Sequence, residues 1–276
     1  MTEQPIILVD SGRCRRDGLC AAVCPVSALA WEDGGLPAPH PEKHRYCIGC
    51  GQCLAVCPAG ALTLGALPDK TAVPVDRKLL PGRAATAELL RFRRSVRAFR
   101  PEPVNRDRLT ALLDLTQYAP SGFNARPVRW VVADTPEKVA QIGGFVVDWM
   151  RSMVEDMGDH PEAKIFPGTI RAWESGTDII CRNAPALALA VAPKTGVTPH
   201  EDAVVAITYL ELAATADGLG ACWAGFATFA ARRHQPLRDF LGIASDEECY
   251  GGLMLGRPAR KYAAVPPRPG ARVGWV

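Results

Sequence analysis

The chain has 276 residues, 48% hydrophobic and 22% charged, a composition that leaves room for one small and one full-sized globular domain. Its formal charge of +3 is too mild to suggest nucleic acid as a partner, and its basic residues do not interleave with aromatics as a base-stacking surface requires. No apolar run is long enough to cross a bilayer, and Met1 to Asp10 lacks the features of an export signal, so a cytoplasmic protein without membrane contact is expected.

Seven cysteines fall in the first sixty residues. One run reads Cys14-x2-Asp17-x2-Cys20-x3-Cys24-Pro25, the other Cys47-x2-Cys50-x2-Cys53-x3-Cys57-Pro58. The spacing repeats, with Asp17 standing where the second thiol would be. Disulfides need an oxidising compartment, which nothing here suggests. Zinc suits paired C-x2-C units but rarely this run. The spacing favours iron–sulfur clusters, because in such runs the cysteine before proline serves the other cluster. The duplication also suits two half-domains, each too small for a core of its own.

After Leu64 the composition shifts. Gly65 to Arg83 contains Pro68, Pro74, Pro81 and Gly82 and reads as a wrapping linker. A helix is expected from about Thr86, with Leu89, Leu90 and Phe92 on its apolar face. A second follows Asn105, a plausible N-cap, with Leu109, Leu112, Leu113 and Thr116 at helical spacing. Val128 to Ala133 is expected as a strand, Pro136 to Val154 as helix, and Leu187 to Val191 as a buried strand. Glu201 to Leu219 reads as a long helix ending at Gly218, and Gly251 to Leu255 as a last strand. This alternation predicts an α+β or three-layer arrangement.

Three segments in the second half are weak signals singly. Arg93-Arg94-Ser95-Val96-Arg97 offers guanidinium forks suited to a phosphate, or else a solvated basic face. Pro120-Ser121-Gly122-Phe123-Asn124-Ala125-Arg126-Pro127 is a turn-rich loop able to approach a planar ligand, or a plain surface turn. Gly218 to Phe226 reads as a glycine-bracketed loop, or a helix cap. His200-Glu201-Asp202 suits the acidic first turn of a helix better than a metal site. Cys181, Cys222 and Cys249 read as small buried residues rather than nucleophiles, and no catalytic residue stands out.

Together these segments resemble the nitroreductase family of flavin enzymes, whose motif order is R-R-S-x-R-x-F, P-S-x-x-N-x-Q/R-P, G-L-G-x-C-W-x-G and a late G-x-P with basic residues. The chain matches with Arg93 to Phe99, Pro120 to Pro127, Gly218 to Gly225, and Gly256-Arg257-Pro258 leading to Arg268. Arg126 stands where many members have glutamine. The N-terminal runs resemble bacterial two-cluster 4Fe-4S ferredoxins. The fold implied is α+β: a ferredoxin-like two-cluster domain at 1–65, a linker at 66–85, and a three-layer nitroreductase-like FMN domain at 86–276.

The ferredoxin likeness implies one cluster on Cys14, Asp17, Cys20 and Cys57 and another on Cys47, Cys50, Cys53 and Cys24. Asp17 would hold iron through oxygen, a harder and looser ligand than thiolate, or leave a three-iron cluster. The nitroreductase likeness implies FMN at the interface of a homodimer. Arg93, Arg94, Ser95, Arg97 and Arg268 would hold its phosphate and ribityl chain, with Lys261 a weaker candidate. Pro120, Ser121, Gly122 and Asn124 would reach it from the partner subunit, while Cys222, Trp223, Ala224 and Gly225 lie against the ring. Residues 143–180 would help wall the pocket over the flavin as a partly mobile lid, although an aromatic and methionine-rich stretch is more often core.

The activity implied is relay of single electrons from an external ferredoxin or flavodoxin, through the clusters, to FMN and on to an acceptor such as a nitroaromatic or quinone. The alternative is a redox-sensing or electron-storage module with incidental reductase activity.

Overall fold

The computed structural model describes residues 7–65, 72–157 and 164–276. Residues 66–71 of the expected linker and 158–163 of the expected lid, with His160, lie outside the described residues. The chain divides into two compact units, the first running to Leu80 and including Phe123–Ala125, the second comprising Pro81–Gly122 and Arg126–Val276.

In the first unit, β1 (Ile7–Val9) pairs antiparallel with β4 (Leu62–Leu64), and β2 (Leu29–Ala30) with β3 (Ala38–Pro39). Two short helices, α1 (Leu19–Ala22) and α2 (Gln52–Val56), follow the cysteine runs. Each is entered through a left-handed glycine at the same place in its run, Gly18 at φ 68° and Gly51 at φ 73°. At Gly18 a side chain is doubly excluded, because the Trp31 ring lies 2.6 Å from where a Cβ would stand. The core is small: Ile7, Ala28, Leu29, Leu62 and Leu64 close around the buried Cys20 and Cys53.

The second unit opens with α3 (Arg83–Phe92) and α4 (Arg106–Leu115). Asn105 caps α4, its side-chain oxygen accepting from the Asp107 amide at 2.7 Å and the Arg108 amide at 3.2 Å. Then come β5 (Arg129–Ala133), α5 (Pro136–Met157), α6 (Phe166–Glu174), β6 (Ala186–Pro193) and α7 (Pro199–Ala216). The chain continues through β7 (Gly220–Trp223), α8 (Gly225–Arg233), α9 (Gln235–Leu241) and β8 (Glu247–Gly256). The strands form one antiparallel sheet in the order β5-β6-β8-β7.

The alternation along β6 builds three layers. Leu187, Leu189 and Val191 face Val139, Ile142, Val146 and Met150 of α5 with Leu237 of α9. Ala186, Ala188 and Ala190 face Ile207, Leu210 and Ala214 of α7 with Leu109 and Leu112 of α4. Small residues on one face of the strand and large on the other let α7 approach the sheet closely. Past α7, Gly218 turns left-handed at φ 76° and the Leu219 amide returns to the Ala214 carbonyl at 2.8 Å, closing the helix.

The Arg93–Arg97 segment leaves α3 and runs beside β7, the Val96 amide donating to the Ala221 carbonyl at 2.9 Å. Gly220 makes this approach possible, since a Cβ there would stand 2.7 Å from Val96.

Several elements differ from expectation. α3 begins at Arg83, within the stretch read as linker. Gly218 to Phe226, expected as a loop, contains strand β7 and the start of α8. Much of 143–180 is core rather than lid: Trp149, Met150 and Phe166 are buried, with Trp149 and Phe166 edge to face at 5.4 Å. Among the described residues, no helix is long and apolar enough to cross a membrane.

Two stability predictions follow from these contacts. Gly220→Ala forces its Cβ onto Val96 and is expected to cost about 1–3 kcal/mol in urea unfolding. Gly144→Ala is its control: it meets open space inside α5 and should gain roughly 0.5–1 kcal/mol.

The second prediction concerns pH. Arg129 grips the Glu247 carboxylate with two nitrogens, Nε to Oε1 at 2.7 Å, and this hydrogen bonding holds the Glu247 pKa down at about 2 against the opposing effect of burial. A depressed carboxylate stabilises the fold above its unfolded pKa, and that contribution fades as pH falls through the folded value. With Arg129 partly exposed, the contribution is about 1 kcal/mol at neutral pH. Glu247→Gln should therefore unfold more readily at pH 7, with the difference from wild type shrinking as pH falls from about 5 towards 2.

Candidate functional site

All ten cysteines are free thiols. In the first unit, Cys24, Cys47, Cys50 and Cys53 line one predominantly apolar cavity with Ile7 and Leu64. The cysteine of the first run thus joins the three closely spaced cysteines of the second. Burial raises the Cys53 thiol to about 11, and the neighbouring charges of Cys47, Cys50 and Cys24 push the same way. Cys47 is raised for the same reasons, burial first and then Cys24 and Cys50. Cys20 is raised by burial and then by Cys14 and Cys57, so the second run returns a sulfur to the first.

Backbone amides point at both crossing sulfurs from equivalent positions: Ala28 to Cys24 Sγ at 3.2 Å and Ala61 to Cys57 Sγ at 3.4 Å. Only Cys53 of the four is fully buried, and the raised Cys47 and Cys53 thiols would ionise readily only beside a cationic centre. The donor set therefore fits a thiolate-bound metal cluster, whose potential amide–sulfur bonds tune. Asp17 is exposed, and its Oδ1 accepts from the Leu19 amide at 3.2 Å, at the start of α1.

The second unit holds an open cavity of about 210 Å³. Arg97, Cys222, Trp223 and Gly225 line it, so two of the sequence segments meet there. Gly225 presents bare backbone to open space, while Phe226, Phe229 and Met254 supply an apolar wall. Burial pushes the Cys222 thiol up, with the guanidiniums of Arg97 and Arg182 pulling the other way. A thiol held neutral is a wall residue rather than a nucleophile. An apolar wall, bare backbone and guanidinium donors fit a planar, negatively charged cofactor such as FMN.

The other expected residues are placed differently. Arg93 is engaged by the buried carboxylate of Glu211 on α7, Nη1 to Oε1 at 2.8 Å. Arg94 donates to the Arg93 carbonyl at 2.6 Å. Ser121 Oγ accepts from the Arg126 amide at 3.0 Å, and the Gly122 amide donates to buried Asp202 at 2.9 Å, so these groups fix their own loop. Pro120, Ser121 and Arg126 border a separate small pocket with Asp202. Phe123–Ala125 belongs to the first unit, where Asn124 Nδ2 donates to the Ile48 and Gly49 carbonyls at 3.2 and 3.0 Å. Arg268 lies exposed in the C-terminal segment, its guanidinium bonded to the Pro267 carbonyl.

Sequence reasoning missed Arg182, which completes the cavity with Arg97; Ile179 and Ile180, at the end of the stretch expected to wall it, also line it. It also missed Glu211, the partner of Arg93. The one local signal was Asp178, an Asx residue placed to bond the amides that follow it.

Residues 90–257 match the model of the nitroreductase family, and residues 12–62 that of a 4Fe-4S dicluster domain. Among curated proteins, a 5,6-dimethylbenzimidazole synthase from Rhodobacter capsulatus is 46% identical over 63 residues, 22% of this chain. The match spans 29% of that relative, less than a third of its length. Among solved structures, a nitroreductase with bound FMN from Bacteroides fragilis shares a TM-score of 0.55 at 22% identity, covering 69% of this chain and 96% of that one. A BluB-like flavoprotein from Clostridium difficile 630 has a TM-score of 0.55 at 18% identity, covering 67% and 94%. At these identities the structural likeness establishes the fold alone. The family model spans well over half of the sequence, so the chain belongs to the nitroreductase family, with a 4Fe-4S dicluster domain ahead of its reductase domain.

Proposed function

We propose that the chain is an FMN- and iron–sulfur-dependent oxidoreductase that takes electrons one at a time from an external ferredoxin or flavodoxin and reduces an organic acceptor such as a nitroaromatic or quinone. The clusters would supply single-electron transfer, and the flavin would convert it to two-electron chemistry. The observation that carries this reading is the crossed set of sulfurs, Cys24 with the second run and Cys57 with the first, in a chain of a reductase family. A reductase supplied by NAD(P)H receives its electrons paired and has no need of clusters.

In this reading the domains are 1–65 and the one expected at 86–276, which α3 extends back to Arg83, joined by a linker. One cluster is held by Cys47, Cys50, Cys53 and Cys24. The other is held by Cys14, Cys20 and Cys57, with Asp17 binding iron through oxygen and making that corner labile. Arg97, Cys222, Trp223, Ala224 and Gly225 hold the flavin, and Arg93 fixes their backbone through Glu211. Arg94 and Ser95 border the phosphate, Arg268 reaches it from the C-terminal segment, and Pro120, Ser121, Gly122 and Asn124 serve the partner's flavin. The cavity of about 210 Å³ is smaller than a usual small-molecule site, roughly 300–1,000 Å³, which supports a site completed by a second copy in a homodimer.

A second reading, a redox-sensing or storage module, is favoured by the exposure of Asp17, which would leave one cluster corner open to solvent. It predicts cluster conversion in air without appreciable acceptor turnover.

Turnover decides between these readings. Reduced ferredoxin or flavodoxin should support reduction of nitroaromatics or quinones, while NADPH alone supports little. A kcat/KM of about 10^4 M⁻¹s⁻¹ or more with NADPH and no carrier would overturn the relay. The same assays should include 5,6-dimethylbenzimidazole as a product, given the Rhodobacter capsulatus relative. Cys24→Ser should abolish the spectroscopic signal of the cluster on the second run and spare that of the first, the opposite of what uncrossed ligation predicts.

A further inference from the structure

The loop before β6 is built in an unusual way. The Asp178 carboxylate accepts three backbone amides, those of Ile180, Cys181 and Asn183, each at 2.8 Å. The loop then passes through two consecutive left-handed residues, Arg182 at φ 61° and Asn183 at φ 49°. Asparagine tolerates this region and arginine does not, at a cost of about 1–2 kcal/mol. Strain of this kind persists only where the surroundings impose it, and it clusters at ligand sites.

The strained residue lines the cavity. Arg182 stands with Arg97 among Ile179, Trp223, Phe226 and Phe229. Neither guanidinium forms an ion pair among the described residues. Other arginines of this unit do, including Arg93, Arg106, Arg108 and Arg129. Arg182 is half-buried, so an unanswered positive charge is held at the edge of an apolar, aromatic wall. The apolar, aromatic residues about Arg182 suit a flat ring.

We propose that Arg182 is a specificity-determining residue that recognises a carboxylate on a planar aromatic acceptor, whose ring lies on the Phe226–Phe229 wall. The proposal rests on the reductase reading above, in which Arg97 is committed to the flavin and Arg182 is left for the acceptor. A guanidinium and a carboxylate form two parallel charge-assisted hydrogen bonds, and the neutral analogue of the same acceptor leaves the guanidinium without a partner.

The test compares 4-nitrobenzoate with 4-nitrotoluene on the full-length protein by equilibrium dialysis, with flavin counted on the same samples. Arg182→Asn removes the cation but keeps a residue that tolerates left-handed backbone, and Arg182→Lys keeps the charge without the fork; a thermal melt checks that both fold. Wild type should bind the carboxylate about tenfold or more tightly than the neutral analogue. Arg182→Asn should abolish that preference with bound flavin unchanged, and Arg182→Lys should restore part of it. No preference in wild type, a preference that survives in Arg182→Asn, or loss of flavin from Arg182→Asn would each overturn the assignment. A wild type without flavin would refute the flavin reading, while the dialysis still decides the role of Arg182.

Discussion

Four cysteine sulfurs gathered around one apolar cavity cannot all ionise unless a positive centre stands among them. This constraint governs the first unit. Its hydrophobic core is a handful of residues, and two of them, Cys20 and Cys53, are themselves cysteines of the two runs. A unit this small gains little from burial alone and leans on whatever its sulfurs bind. Under the proposed ligation, exchange of the sulfurs before Pro25 and Pro58 would tie the two half-units together, each metal site needing a sulfur from the other half. The equivalent left-handed glycines and equivalent amide–sulfur bonds are the backbone side of that exchange.

The second unit solves a different problem. Its cavity draws on segments far apart in sequence, and two contacts hold them together. The Val96 amide reaches Ala221 because Gly220 has no side chain, and Arg93 neutralises Glu211 inside the layer beneath. Removing Arg93 would leave a buried carboxylate without a partner, typically a loss of about 3–5 kcal/mol. Arg93 thus acts on the site through position, while Arg97 lines the cavity itself. The raised, neutral Cys222 completes a wall suited to holding a ring rather than attacking one.

What the sequence disclosed follows from which interactions are local. Cysteine spacing is local, and so is the Asn105 cap; both are legible, as is β6, whose eight residues are all apolar. Strand β7 was not, because a short edge strand that begins with glycine looks like a turn until β8 pairs with it. The Arg93–Glu211 pair joins residues 118 apart and carries no periodic signal. Arg182 belongs to no motif, and only the three amides on Asp178 reveal that its backbone is held in place. The stretch 143–180 divides between the two roles open to it, Trp149, Met150 and Phe166 in the core and Ile179 and Ile180 at the cavity, because aromatic and aliphatic residues serve both equally well.

Metal and flavin content bears most directly on the central claim that electrons enter this reductase singly through sulfur-bound iron. Protein purified without oxygen should carry iron and labile sulfide in equal amounts together with FMN. Its electron paramagnetic resonance spectrum should gain reduced-cluster signals on addition of dithionite. Zinc in place of iron, with no such signals in the reduced protein, would contradict the account.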